Sequence, residues 1–212
     1  MDTIDHIRVS LSEIDILLDY ASRNSANIHK YQLFNKVSIV LLSTKFEVFL
    51  EEFIEEHSTR MLNGHTNATL PSKLKETYFD RGIGLIVNEK KKSIKDALFH
   101  SLSILQQNRG DSITVLQNIK PPTSFNYGKH GQKEIETLFK RHGLEDFIKS
   151  DDAQNCLTIL NSLIAIRNNV IHQDASPGIT HQTIIAHKNN ILNFLNFLES
   201  NIESKKSVYY NE

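Results

Sequence analysis

The chain has a single cysteine, Cys156, so no disulfide can form within it. A lone thiol on the apolar side of a predicted helix is typical of a reducing compartment, and small buried thiols are too common to suggest a catalytic nucleophile. The sequence also has only 4 prolines and 8 glycines. Because alternating β-branched runs, the pattern of strands, are scarce as well, the composition predicts helices throughout.

No excess of charge of either sign is present, because 24 basic and 25 acidic residues leave a net charge of −1. No overall basic field attracts nucleic acid, so any contact with RNA must come from local patches. The most apolar stretch, at 37–42, is too short to span a bilayer. The acidic start at 1–5 lacks the pattern of a secretory signal. We expect a cytoplasmic protein without membrane contact.

The length of 212 residues suits one compact domain with its own core. No linker, internal repeat or low-complexity tract divides the sequence. We therefore predict a single all-α domain over residues 1–212, a helical bundle whose core spans about 31–205. The polar tail at 206–212 is expected to fray.

Apolar residues at helical spacing predict a first helix at about 3–21 and a second, the longest, at about 31–61. A short third helix is expected at 73–79, ended by Gly82. The buried face of the second helix is assigned to Leu33, Val37, Val40, Leu41, Thr44, Val48, Phe49, Glu52 and Phe53.

The second half of the chain contains an irregular stretch at 115–127, where two consecutive prolines exclude a helix. The remaining predicted helices lie at about 96–106, 132–142, 152–172 and 180–205. Gly143 is expected in the left-handed conformation that ends the helix before it.

The most unusual stretch is the end of the helix predicted at 152–172, where a buried apolar stripe leads into Arg167, Asn168 and His172. Asn168 and His172 are four positions apart and share a helix face, with Arg167 beside them. Burying such a set without partners would be costly. The cluster therefore faces either a cleft or a second copy of the protein.

The cluster has a structural and a catalytic interpretation. Structurally, Arg167 pairs with a carboxylate, Asn168 bonds to backbone, and His172 caps the helix C-terminus. Catalytically, an imidazole can act as general base or acid, and a guanidinium fork matches phosphoryl oxygens better than lysine does. Asn168 would hold the imidazole tautomer or the phosphate. Because RNA carries its own nucleophile, the 2′-hydroxyl, these groups suffice for cleavage without metal.

Other candidate sites are weaker. None of the ten histidines lies in a zinc-binding motif, so we expect no metal and no cofactor. The basic run at 89–95 is either a solvated face or a surface that steers phosphates. Glu47 and Glu51 belong to an acidic face of the second helix; either that face is merely solvated, or one of the two carboxylates orients Arg167.

The Arg-x4-His spacing, with Asn directly after the Arg, resembles the signature of the HEPN superfamily (higher eukaryotes and prokaryotes nucleotide-binding). An acidic, aromatic-rich second helix and the basic-Gly-Leu exit at 141–144 are also similar to HEPN proteins. The resemblance covers roughly residues 31–202. It implies an all-α HEPN-like fold and a ribonuclease activity that depends on Arg167, Asn168 and His172.

The resemblance also implies a two-fold homodimer, because HEPN ribonucleases bring both motifs together in one composite cleft. The function it implies is a metal-independent endoribonuclease of the toxin or antiviral-defence kind, with RNA as substrate and an antitoxin or other protein as a candidate partner. Asp174 stands where some HEPN toxins carry a modified tyrosine, so that form of regulation is not expected. The alternative is a non-catalytic HEPN-like module that binds RNA, nucleotide or a protein, which the near-neutral charge favours.

Overall fold

The computed structural model describes residues 1–66, 68–106, 121, 123, 131–173 and 178–211. In these ranges the chain forms helices and no strand, which confirms the predicted all-α fold. The helices are α1 (Asp2–Ser10), α2 (Ser12–Arg23), α3 (Ile28–Gly64), α4 (Ser72–Asn88), α5 (Lys92–Gln106), α6 (Gln132–Arg141), α7 (Glu145–Ile148), α8 (Asp151–Gln173), α9 (His181–Ser204) and α10 (Lys206–Tyr210).

Two further predictions concern membrane spans and the irregular stretch at 115–127. Within the same ranges, no helix is both long enough and apolar enough to cross a bilayer. The irregular stretch predicted at 115–127 lies outside the described residues, apart from Pro121 and Thr123.

α3 is the central helix, because α1, α2, α8, α9 and α10 all pack against it. Its buried aromatic residues reach neighbouring helices: the ring of Phe53 stacks on Phe139 of α6 at 5.9 Å between centroids. The ring of Phe46 meets Phe194 of α9 edge to face at 5.7 Å. Aromatic pairs of this kind add about 0.5–1.5 kcal/mol each beyond the area they bury. They fix α6 and α9 on the same side of α3.

The buried face of α3 differs from the predicted one. Phe49 and Phe53 are buried as predicted, whereas Leu33, Val37 and Val48 of the predicted face are 57%, 43% and 46% exposed. Ser38 is fully buried in their place, and its hydroxyl donates to the carbonyl of Phe34 at 2.8 Å. A polar side chain that is satisfied by its own helix can take a core position, and a count of apolar residues does not detect it.

Helix boundaries also differ from the prediction at the start of the chain and near Gly82. The predicted first helix is two helices, α1 and α2, which meet at Leu11. α4 continues through Gly82, because this residue is buried against α5 and a Cβ there would lie 2.6 Å from Leu102 Cδ2. The glycine therefore permits a close approach of two helices and does not end α4. Gly143 does adopt the predicted left-handed conformation, with φ of 80°.

The tail is ordered where the sequence predicts fraying, because residues 206–210 form α10. Tyr209 and Tyr210 are 5% and 2% exposed. The carbonyl of Tyr210 lies against Gly64, where a Cβ would come within 1.9 Å of it. The core also includes Ile4 of α1, so it extends beyond the predicted 31–205 at both ends.

His57 of α3 joins this tail to the core. Its Nε2 lies 3.2 Å from the carbonyl of His142, which can only accept, so Nε2 carries the proton. Nδ1 therefore accepts from the hydroxyl of Tyr210 at 2.8 Å. Burial of the ring, with His142 nearby, lowers the pKa of His57 to about 3. The imidazole is thus neutral in the folded protein at any physiological pH.

We expect the free energy of unfolding to fall as the pH is lowered from about 6.5 toward about 3. The unfolded chain protonates His57 near pH 6.5, whereas the folded chain does so only near 3, so the unfolded state binds more protons in this window. One such group contributes a slope of at most about 1.4 kcal/mol per pH unit. Urea unfolding at a series of pH values measures it. The His57→Gln variant should be less stable than the wild type at neutral pH yet show a flatter pH dependence; parallel curves would contradict the assignment.

Candidate active site at the end of α8

α8 is anchored by the apolar stripe that the sequence predicts. Leu157, Leu160 and Leu163 are at most 1% exposed, and the helix packs on both α3 and α9. The hydroxyl of Ser150 accepts from the backbone N–H of Ala153 at 3.3 Å and so caps the N-terminus of the helix. The helix is therefore held in the bundle along its apolar face and at its N-terminus.

Cys156 lies in the buried part of α8, where its carbonyl accepts from Asn190 Nδ2 of α9 at 2.9 Å. Burial raises the pKa of its thiol, and the charge of Asp152 does so as well. A thiol held protonated is a poor nucleophile. The structure thus gives Cys156 a packing role.

Burial changes sharply along the last two turns of α8. Ile164 is still 6% exposed, Arg167 and Asn168 are half-buried, and His172 is exposed. Ile171, next to the histidine, is 45% exposed although it is apolar. The polar end of the helix is therefore open to solvent in the single chain.

Arg167 and Asn168 are bonded to each other. Arg167 Nη1 donates to Asn168 Oδ1 at 2.9 Å, which fixes one edge of the guanidinium. At 3.6 residues per turn, Asn168 and His172 lie about 40° apart around the helix, whereas Arg167 and His172 lie about 140° apart. Asn168 lies between the other two positions around the helix, so the three side chains form a polar arc.

The hypothesis that Glu47 or Glu51 of α3 orients Arg167 is wrong. The pKa of Glu51 is raised, first by burial and then by the charge of Glu47. An adjacent guanidinium would lower this pKa instead. The hydrogen bond of Arg167 goes to Asn168, so the two carboxylates belong to the acidic face of α3.

The chain that returns from α8 is held by the first turns of α3, which sequence reasoning missed. Asn35 Nδ2 donates to the carbonyl of Ile179 at 3.1 Å, and the hydroxyl of Tyr31 accepts from the backbone N–H of His181 at 3.2 Å. Thr180 then caps α9. The only sequence signal was an asparagine at a position that helical periodicity places near the core. These bonds fix where the chain re-enters the bundle at the start of α9, while Asp174 lies outside the described residues.

The remaining candidates stay apart from this site. Lys90, Lys91 and Lys92 of the basic run are exposed at the junction of α4 and α5, which fits either interpretation of the run. In the described part of the chain, no group of three or more His, Cys, Asp or Glu side chains is placed to hold a metal ion. The chemistry available at the end of α8 is therefore that of a guanidinium, an amide and an imidazole.

An all-helical bundle with this polar arc at the end of its penultimate long helix is what the sequence resemblance implied. A model of the RiboL-PSP-HEPN family matches residues 5–204. The chain belongs to the RiboL-PSP-HEPN family, within the HEPN superfamily. Membership indicates a nuclease-like or RNA-related function. No curated protein and no solved structure gives a significant match.

Replacing the exposed imidazole should leave the fold intact. We expect His172→Ala to change the free energy of unfolding by less than about 0.5 kcal/mol, as is usual for an exposed side chain. Leu163→Ala, on the buried face of the same helix, should cost about 2–5 kcal/mol. Urea denaturation of both variants measures this. If His172→Ala lowered the free energy of unfolding as much as Leu163→Ala does, the imidazole would have a structural role in the fold.

Proposed function

We propose that the protein is a metal-independent endoribonuclease of the toxin or antiviral-defence kind, acting in the cytoplasm, with Arg167, Asn168 and His172 in its active site. One observation carries this proposal. The apolar face of α8 is buried up to Ile164, yet the helix ends with a half-buried guanidinium that no carboxylate neutralises in the described structure and, one turn later, with an exposed imidazole. A purely structural arginine would be expected to pair with an acid.

The proposed reaction uses the 2′-hydroxyl of RNA as nucleophile. His172 takes the proton from this hydroxyl, the new bond forms between the 2′-oxygen and phosphorus, and the bond to the 5′-oxygen breaks. The leaving oxygen receives a proton, which gives a 2′,3′-cyclic phosphate and a 5′-hydroxyl. Arg167 stabilises the charge on the non-bridging oxygens, and its hydrogen bond to Asn168 limits the directions in which it can donate.

A homodimer completes this mechanism. One imidazole does not serve at once as the base and as the acid, and within one helix the positions of Arg167 and His172 lie about 140° apart. A two-fold axis near the end of α8 sets the same surface against itself and supplies a second Arg167 and His172. The exposed Ile171 offers apolar contact for that interface.

The second candidate function is a non-catalytic module that binds RNA, nucleotide or a protein partner such as an antitoxin. The observation that favours it is the net charge of −1, because nucleases that act on any RNA usually carry a basic surface. Under this alternative, substitutions at the end of α8 change binding or assembly, and no turnover occurs.

Purified wild-type protein should cleave RNA in the presence of a chelator and leave DNA of the same sequence intact. Arg167→Ala and His172→Ala should each lower the rate by about 10²–10⁴-fold, because they remove transition-state charge stabilisation and proton transfer. Asn168→Ala should have a smaller effect, since Arg167 keeps its charge. Gel assays with end-labelled RNA, followed by analysis of the 3′ ends, measure rate and product.

The matched control for this assay is His100→Ala, an exposed histidine on α5. It should cleave at the wild-type rate, so that loss at His172 cannot be attributed to any surface histidine. Full activity in either the Arg167→Ala or the His172→Ala variant would rule out the proposed site. Absence of cleavage by the wild type would favour the non-catalytic module.

Ile171→Asp should convert dimers to monomers and abolish cleavage together, because it places a carboxylate in the proposed interface. Val9→Asp is the matched control, since Val9 is 72% exposed on α1. Arg8 of α1 bonds to Glu199 near the C-terminal end of α9, whereas the chain enters α9 from the motif at its N-terminal end. Light scattering after size-exclusion chromatography reports the mass. A monomeric wild type, or a dimeric Ile171→Asp variant, would be inconsistent with the composite site.

A further inference from the structure

A polar cleft of about 440 Å³ lies between α4 and the end of α6. Lys73, Thr77 and Arg81 follow each other at intervals of four and share one face of α4. Arg141, the last residue of α6, lines the opposite wall. The hydroxyl of Thr77 donates to the carbonyl of Arg141 at 2.9 Å, so the two walls are held together by a hydrogen bond at the cleft itself.

The cleft contains more positive charge than its own acids neutralise. Lys73 pairs with Glu76 at 3.0 Å, which leaves Asp80 as the other carboxylate of the lining. Arg81 and Arg141 are exposed, and neither forms an ion pair with any residue that the structure describes. Two guanidinium groups on one cleft offer the planar forked donors that match phosphate oxygens.

The cleft is distant from the motif. α6 packs against the first half of α8, where Gln132 donates to Asn161 at 2.9 Å and to Gln154 at 2.8 Å. α6 then runs toward the start of α8, so Arg141 lies near the opposite end of α8 from Arg167. At 1.5 Å per residue, α8 from Asp151 to Arg167 is about 24 Å long.

We propose that this cleft binds a backbone phosphate of an RNA strand, at a point separated from the motif by most of the length of α8. The inference rests on the proposed function for the identity of the strand, because a chain of net charge −1 must contact RNA through local patches. Two arginines held on adjoining walls form such a patch. The cleft retains the strand and takes no part in the bond cleavage.

The test is binding of an RNA of about 20 nucleotides, long enough to extend beyond one contact site. With 2′-O-methyl groups throughout, this probe cannot be cleaved. Fluorescence anisotropy over a range of salt concentrations should show that Arg81→Gln with Arg141→Gln weakens binding about tenfold at low salt. The slope of log K against log salt is negative, and it should become less negative by about 0.7 for each lost contact. Circular dichroism checks that the double variant is folded.

The matched control removes the same charge elsewhere, with Arg23→Gln and Lys149→Gln. Both control residues form ion pairs with acids four positions earlier, Asp19 and Glu145. Their loss should leave binding within about twofold of the wild type. Equal weakening in both double variants would show an effect of net charge alone and would overturn the assignment of the cleft as an RNA-binding site. Binding at the wild-type level in the Arg81 and Arg141 variant would overturn it as well.

The outcomes separate this inference from the proposed function. If the wild type cleaves ordinary RNA while the cleft variant binds the methylated probe normally, the cleft assignment fails and the nuclease stands. If the wild type cleaves nothing but the cleft variant loses binding, the nuclease fails and the cleft stands as an RNA-binding site.

Discussion

The packing of the apolar face of α8 between α3 and α9 is the constraint on which the candidate site depends. Leu157, Leu160 and Leu163 fill this contact. The stripe of fully buried residues ends at Ile164; Ile166 and Val170 still pack against the core as partly buried side chains, and Ile171 and His172 are exposed. The position of Arg167 and His172 is thus a result of where the apolar stripe stops, and no separate loop is needed to present them.

The sequence predicts the helical class, the longest helix and the boundaries of α8 and α9 to within one residue, because these depend on periodicity and on local signals such as Thr180. Gly143 gives the end of α6 in the same way. The sequence predicts the buried face of α3 only in part, since Phe49 and Phe53 are buried but Leu33, Val37 and Val48 are exposed. Ser38 and His57 are core residues whose polar atoms are satisfied by bonds inside the fold, and periodicity counts them as surface. Gly82 is a similar case, since its role depends on Leu102, twenty positions away.

The candidate site could be predicted in its residues but not in its geometry. The spacing of Arg167, Asn168 and His172 identified a polar arc, whereas the bond between Arg167 and Asn168 and the support from Tyr31 and Asn35 required the tertiary structure. Glu51 shows that sequence reasoning can also suggest a contact that the fold does not form. Its place on an acidic helix suggested a partner for the arginine, yet its raised pKa follows from burial and from Glu47.

The bonds that close the bundle have a consequence for synthesis of the chain. Tyr210 meets His57 across 153 positions, and Arg8 meets Glu199 across 191. As the chain leaves the ribosome, the aromatic side chains of α3 therefore have no partners from α9 or α10 until those helices have been made. In that interval the apolar face of α3 is exposed on the nascent chain, and exposed apolar surface favours aggregation. α8 acquires its packing against α9 in the same late step.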